Sequence, residues 1–267
     1  MTLRAPLASA RLLLSIGAGS VLFVVVVSIA IATDHTRAVA RPPKRLSAAT
    51  TPRVPITSPG RTTTMQVPLT RIRTESLTPE AGDRYLYDPG RGSMVVRAPV
   101  TNGGGNLRQV WWPLDAAASV NQQSCATWAE FGGPIAQAGI ALRVRRQNGA
   151  VQAITVTNNI WWGARSGWNV HAWPANGGSA LVVGQRLLGK PPLPWRLCAR
   201  VVGSTVDFKV WSLAGRGGEP AWGDPRFGAR FTLLPEWVYA GQPGWYTGHL
   251  RRGEMLSFDD LESRALP

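Results

Sequence analysis

The feature that most constrains this chain is a series of short apolar runs that fills it from residue 75 to its end. The runs are rich in β-branched and aromatic residues, and clusters of Gly, Asn, Pro and Ser separate them. Successive side chains of a strand point to opposite faces, so alternating runs indicate strands with one buried side. No stretch here keeps the 3.6-residue period of an amphipathic helix. The pattern predicts an all-β domain, folded as a jelly roll or β-sandwich.

The turn signals divide this region into separate strands. Asn148-Gly149 lies between two alternating runs, and this dipeptide is the strongest short-range signal for a hairpin. The predicted strands are 93–98, 107–112, 125–130, 139–145, 151–162, 168–173, 180–183, 195–202, 205–212, 227–233, 244–250 and 255–261.

The aromatic residues locate the packed part of the chain. All 12 Trp lie between Trp111 and Trp245, whereas residues 1–74 contain no Trp or Tyr. Residues 34–74 are rich in Pro, Thr and Arg and cannot bury enough apolar surface to offset the entropy lost on ordering. We therefore predict a disordered linker at 34–74 and a globular domain at 75–267.

The N-terminal segment 1–33 is predicted to be a signal peptide or a signal anchor. Residues 12–33 carry no charge and are long enough to cross a hydrocarbon core of ~30 Å, which makes the membrane an expected partner of this helix. The length of the run favours an anchor at the cell membrane, with the C-terminal domain outside the cytoplasm. The alternative is secretion after cleavage following Ala32, because Ala30-Ile31-Ala32 matches a cleavage site.

Cys125 and Cys198 are the two cysteines of the chain, and both lie in the predicted domain. In an exported domain such a pair is most simply a disulfide, although two buried free thiols are the alternative. A bridge would close a loop of roughly 74 residues and contribute about 4 kcal/mol in the chain-entropy model.

The net charge of +14 does not indicate a nucleic-acid partner, because residues 1–74 contribute +9 of it. The one tight basic cluster of the domain is Arg143, Arg145 and Arg146, which alternates with apolar residues as a solvated strand edge does. We therefore expect no nucleic-acid binding.

Alternation within two neighbouring predicted strands gives a candidate binding surface. One polar face is predicted to carry Asn159, Trp161, Asn169, His171 and Trp173. The ring C–H groups of a sugar pack on an aromatic plane, and its hydroxyls need forked donors and acceptors such as amides and imidazole. The face therefore predicts binding of a glycan or another cell-envelope polymer. The alternative is that these indoles fill the core of the sandwich.

Three stretches resemble the concanavalin A-like lectin/glucanase superfamily in its laminin-G-like jelly-roll form. They are GIALRVRRQNGAVQAITVTNNIWWGARSGWNVHAW at 139–173, PWRLCARVVGSTVDFKVW at 194–211 and GWYTGHLRRGEMLSFDDLES at 244–263. The resemblance covers about residues 135–263 and implies a two-sheet sandwich. It does not imply an activity, because members of one fold carry different functions.

Catalysis is not favoured by the sequence. The glucanases of this superfamily carry a Glu-x-Asp-x-Glu strand, and the nearest match here is Asp259-Asp260-Leu261-Glu262. Glycosidases need two carboxyl groups at a set separation, so a hydrolase using Asp260 and Glu262 is one alternative. A structural or protein-interaction module without a small ligand is another. His171 and His249 have no partner at metal-ligand spacing, so neither a metal nor a cofactor is predicted.

Overall fold

The structure is a computed structural model that describes residues 65–66, 71–78, 84–90, 92–101, 107–129, 132–159, 165–189, 191–215 and 217–267. The predicted signal segment 1–33 and the linker up to residue 64 lie outside these residues. The described residues contain no α-helix, and no helix among them is long and apolar enough to cross a membrane.

The described residues form strands joined by turns, with one short 3-10 helix at Pro235–Trp237. The strands are β1 (Met65–Gln66), β2 (Ile72–Ser76), β3 (Leu86–Pro89), β4 (Met94–Arg97), β5 (Arg108–Pro113), β6 (Gln122–Trp128), β7 (Gln137–Gln147), β8 (Ala150–Asn159), β9 (Arg165–Trp173), β10 (Leu181–Gly189), β11 (Trp195–Val202), β12 (Thr205–Ser212), β13 (Gly228–Thr232), β14 (Gln242–Gly248) and β15 (Met255–Ala265).

These strands make two sheets, and all of their pairings are antiparallel. Sheet A has the order β13-β12-β11-β6-β15-β4-β3, with β1 paired to β15 beside this path. Sheet B has the order β10-β9-β8-β7-β14-β5-β2. The prediction of an all-β sandwich is confirmed.

Local signals placed several strands correctly. β11 and β12 have the predicted bounds, and the β7–β8 hairpin turns at Asn148-Gly149 as predicted. Both turn residues have positive φ, 53° and 80°, which an Asn-Gly pair adopts at low cost. Strand β10 runs to Gly189, well beyond the predicted end at 183. It is an edge strand, and its polar Gln185 and Arg186 interrupt the apolar run on which the prediction relied.

The strands of the domain begin before the predicted boundary at residue 75. Met65–Gln66 pairs with β15, and Ile72–Ser76 pairs with β5 at the edge of sheet B. Edge strands often carry charged residues, and β2 contains Arg73 and Glu75. It therefore lacks the apolar alternation of a central strand. Residues on the N-terminal side of the predicted boundary therefore take part in the pairing of both sheets.

Tryptophans fill much of the space between the sheets. The rings of Trp111 and Trp245 stack with centroids 4.7 Å apart, and Trp195 contacts Trp128 at 4.5 Å and Trp168 at 5.3 Å. Large aromatic side chains bury more apolar area than any other type and contribute most to such a core. The alternative interpretation of the Trp content, core packing, is thus correct for these five residues.

The predicted disulfide joins Cys125 of β6 to Cys198 of β11, which are register partners in sheet A. Both cysteines alternate with core residues, so the bridge lies on the outer face of sheet A, where it packs against Trp211. It ties together two central strands that are 73 residues apart in the chain.

Candidate functional site

The outer face of sheet B carries the polar groups that the sequence predicted on β8 and β9. Ile154 and Val156 point into the core between the sheets, so the alternate residues Thr155 and Thr157 face outward. The register pairs Thr155 with His171 and Thr157 with Asn169. For the described residues of these strands, the observed faces are the predicted ones.

These groups line a cleft of about 480 Å³. Gly139 of β7 lies between Tyr246 and Thr157 in the register and places no side chain between them. A Cβ atom at Gly139 would clash with the carbonyl oxygen of Val156, so the position needs glycine. Asn176 shapes the rim, since its Oδ1 accepts a hydrogen bond of 2.9 Å from the Gly178 amide.

Most of the polar lining is neutral. The lining includes the side chains of Arg108, Gln137, Thr157, Asn159, Asn169, His171, Tyr246 and His249. None of the described lining residues is an Asp or Glu, and in the described part of the chain no three His, Cys, Asp or Glu residues are grouped as metal ligands are. The cleft can therefore offer many hydrogen bonds but no carboxylate.

His171 is uncharged at neutral pH. Burial, and to a smaller extent the positive charge of Arg108, lowers the pKa of its imidazole from 6.5 to about 4. A neutral imidazole both donates and accepts hydrogen bonds. Burial raises the pKa of the Tyr246 phenol, so Tyr246 also stays neutral in the cleft.

Two oxygen atoms at the cleft have no hydrogen-bond donor within the described protein. They are Oδ1 of Asn169 and Oγ1 of Thr78, both withdrawn from bulk solvent. A buried acceptor without a donor costs roughly 1–3 kcal/mol. A ligand or solvent hydroxyl that donates to these oxygens would remove this cost.

Trp173 is not the open stacking platform that the sequence suggested. It lines the cleft but is only 7% exposed, because it packs in a second apolar cluster on the outer face of sheet B, with Val110, Trp112 and Tyr246. Its indole N–H donates a hydrogen bond of 2.9 Å to Thr155 Oγ1. Its ring centroid lies 6.0 Å from that of His171, so it supports the wall on which His171 stands.

The other predicted residues divide between the cleft and the region that is not described. Asn159 lies half-buried at the end of β8 and lines the cleft with Asn169 and His171. Trp161 lies outside the described residues.

Sequence reasoning missed Arg108, Gln137, Tyr246 and His249. Arg108 and Tyr246 lie on β5 and β14, which are neighbours in sheet B but more than a hundred residues apart in the chain. Alternation along β5 places Arg108, Val110 and Trp112 on one face, but only the strand order brings that face next to β8 and β9. No local signal connects the two halves of the cleft.

The carboxylates of the hydrolase alternative lie on the other sheet. Asp260 and Glu262 line a separate cleft of about 430 Å³ on the outer face of sheet A, beside the disulfide. Arg196 contacts both, with its Nη2 atom 2.9 Å from Glu262 Oε2 and its Nη1 atom 4.0 Å from Asp260 Oδ2. The two acids thus share one guanidinium as part of an ion-pair network, and they do not line the neutral cleft of sheet B.

No protein-family model matches the chain, and no curated protein matches it. Among solved structures it is similar to the carbohydrate binding module CBM66 from Bacillus subtilis, with 9% identity, 72% of this chain and 95% of that one covered, and a TM-score of 0.44. It is also similar to the exoplasmic/lumenal domain of VIP36 with Ca²⁺ and Man3GlcNAc bound, with 9% identity, 76% and 86% coverage, and a TM-score of 0.47. A protein of unknown function with a galectin-like fold, also from Bacillus subtilis, matches with 8% identity, 78% and 97% coverage, and a TM-score of 0.44. These likenesses are loose, and the assignment of a β-sandwich rests on the strand pairings of this chain.

Proposed function

We propose that this protein binds a glycan in the cleft of sheet B and does not cleave it. The observation that carries the proposal is a cleft lined mostly by neutral amide, hydroxyl and imidazole groups, where two buried oxygens have no donor among the described residues. Sugars present many hydroxyls close together, and each can donate to one group and accept from another. Asn159, Asn169 and His171 are the proposed contacts, with Trp173 in the supporting wall.

The absence of a carboxylate among the described lining residues supports binding without turnover. Glycoside hydrolysis uses two carboxyl groups on either side of the scissile bond. Asp260 and Glu262, the nearest imitation of such a pair, are bound to Arg196 on the opposite sheet.

A glycan array probed with the full chain tests the proposal, followed by calorimetric titration of the best oligosaccharide. Asn169→Ala should weaken binding about tenfold, because one buried hydrogen bond to the ligand is worth about 1.4 kcal/mol. Gln123→Ala is the matched control: it removes an amide from the outer face of sheet A and should change the affinity less than twofold. New reducing ends released from the bound oligosaccharide would contradict the non-catalytic part, and an array without any bound glycan would favour an interaction module instead.

We also propose that the domain functions outside the cytoplasm, tethered by the N-terminal segment to the cell membrane. The disulfide supports this location, because disulfides persist in oxidising compartments. An extracytoplasmic domain of this kind would meet the polymers of the cell envelope directly. The mass of the mature protein, measured after cell fractionation, distinguishes an anchored chain from one cleaved after Ala32.

A further inference from the structure

Arg108 is the one formally charged side chain among the described residues that line the cleft. It stands at the start of β5 and pairs in register with Gly248, which in turn pairs with Gln137. Arg108 is half-buried, and a guanidinium in such a position presents several N–H donors in one plane.

The charge of Arg108 is not neutralised by the described protein. None of the described Asp and Glu residues forms a salt bridge with it. The charges of Glu254 and Arg108 both act on the pKa of Tyr85, in opposite directions. The Glu254 carboxylate accepts a hydrogen bond of 2.8 Å from the Arg251 amide and forms no salt bridge with Arg108. On the outer face of sheet A, by contrast, Arg196, Arg200, Lys209 and Arg230 each contact a carboxylate.

The positive charge of Arg108 acts on the pKa values of two side chains in the cleft. Arg108 lowers the pKa of His171 through its charge, and it lowers the pKa of Tyr246 through its charge and a hydrogen bond, against the larger opposing effect of burial on Tyr246. The neutral amides around Arg108 contribute no negative charge. An anion entering the cleft would therefore meet a positive potential in a partly desolvated site, where charge-assisted hydrogen bonds are strong.

From this arrangement we infer that the glycan bound in the cleft is acidic, and that Arg108 binds its anionic group while the neutral side chains bind its hydroxyls. The inference rests on the proposed function and adds the substrate class to it. Two kinds of acidic sugar share the required chemistry: sugars with a ring carboxylate, and sugars with an ester-linked sulfate or phosphate. A planar carboxylate and a tetrahedral sulfate or phosphate ester each present a pair of anionic oxygens that a guanidinium binds through two N–H groups.

The test measures the affinity of the full chain for four probes in two matched pairs. One pair is an oligogalacturonate and its fully methyl-esterified form, and the other is a sulfated galactan oligosaccharide and its desulfated form. The acidic member of at least one pair should bind ten- to a hundredfold more tightly than its neutral partner, as expected when an ionic hydrogen bond is lost. The pair that shows the difference identifies the anionic group as a ring carboxylate or as a sulfate ester.

Variants connect this difference to the residue. Arg108→Met should remove the preference, so that acidic and neutral members bind alike, whereas Arg252→Met, which removes an exposed arginine from a turn, should change neither affinity more than twofold. Arg108→Lys keeps the charge and should retain part of the preference. Because Arg108→Met could fold poorly, the wild-type protein gives an independent readout: added salt should weaken binding of the acidic probe and leave the neutral probe unaffected.

Three results would overturn the inference, and they are distinguishable. If neutral and acidic members bind equally and Arg108→Met has no effect, acid recognition is wrong while glycan binding stands. If a polyglutamate peptide binds through Arg108 as tightly as the acidic sugars, the site recognises anions and not glycans. If none of the four probes binds and the glycan array is also empty, both the inference and the proposed function fail.

Discussion

The outer faces of the two sheets differ in how their polar groups are satisfied. On sheet A, Asp207 contacts Arg200 at 3.0 Å and Arg230 at 2.6 Å, and Lys209 contacts Glu219 at 2.6 Å. The ring of Trp222 lies against both Arg200 and Lys209 and covers part of this network. On sheet B the cleft carries neutral groups, two acceptors that no described residue donates to, and an arginine that forms no salt bridge with a described carboxylate. Charges that are already paired within the protein gain little from contact with a ligand. The outer face of sheet A therefore fits a stabilising role, and the outer face of sheet B fits the proposed binding role.

The largest expected effect is on sheet A. Replacing both cysteines, Cys125→Ala with Cys198→Ala, should lower the free energy of unfolding by about 4 kcal/mol, because the bridge restricts the unfolded chain. Urea denaturation of the variant measures this loss, and the wild-type protein under reducing conditions should show the same shift. A loss of glycan affinity in the folded variant would contradict the division between the two faces.

A smaller loss is expected when the centre of the ion-pair network is neutralised. Asp207→Asn should lower the free energy of unfolding by about 2 kcal/mol, because Asp207 is buried and its change leaves two guanidinium groups without their carboxylate. The matched control is Asp224→Asn, whose partner Arg226 is exposed, and it should leave the melting temperature nearly unchanged. Equal effects of the two changes would show that the network does not stabilise sheet A.

On sheet B the buried imidazole predicts a pH dependence. The pKa of His171 is about 4 in the folded protein and near 6.5 in the unfolded chain, so between these values the unfolded state binds more protons. Stability should therefore rise with pH across this range, by about 1–2 kcal/mol when the partial exposure of the ring is allowed for. His171→Gln should remove this contribution, and an NMR titration of the imidazole should give the midpoint near 4. In Arg108→Met the midpoint should move upward, since a positive charge has been removed; an unchanged midpoint would contradict the proximity of the two groups.

The smallest expected effect tests whether Trp173 only supports the wall of the cleft or contacts the glycan directly. Trp173→Phe keeps most of the packing but removes the hydrogen bond to Thr155, which should cost about 1 kcal/mol of stability. The glycan affinity should change less than threefold, because the indole N–H is used within the protein. A loss of affinity comparable to that of Asn169→Ala would instead make Trp173 a direct contact, as the sequence first suggested.

The sequence was sufficient where the signal was local. Asn148-Gly149 located a hairpin, and the alternation in β8 and β9 separated the core residues Ile154 and Trp168 from the outward Asn169. It failed for the edge strand β2, whose alternation involves charges, and for the exposure of Trp173. An indole on an outward face is still buried when neighbouring strands bring apolar side chains against it, and the sequence does not show which strands are neighbours.

By itself, then, the sequence determined the all-β class, most strand positions and which side of each strand faces the core, because these follow from the side-chain period of two and the backbone preferences of turn residues. The tertiary structure alone decided which outward faces lie side by side. Pairing β5 with β14, and β14 with β7, brings Arg108 and Gln137 to the cleft of β8 and β9. The same folding placed Asp260 and Glu262 against Arg196 on the opposite sheet. Such pairings join residues far apart in the chain, and their free energy depends on the whole set of packed strands, so no short segment encodes them.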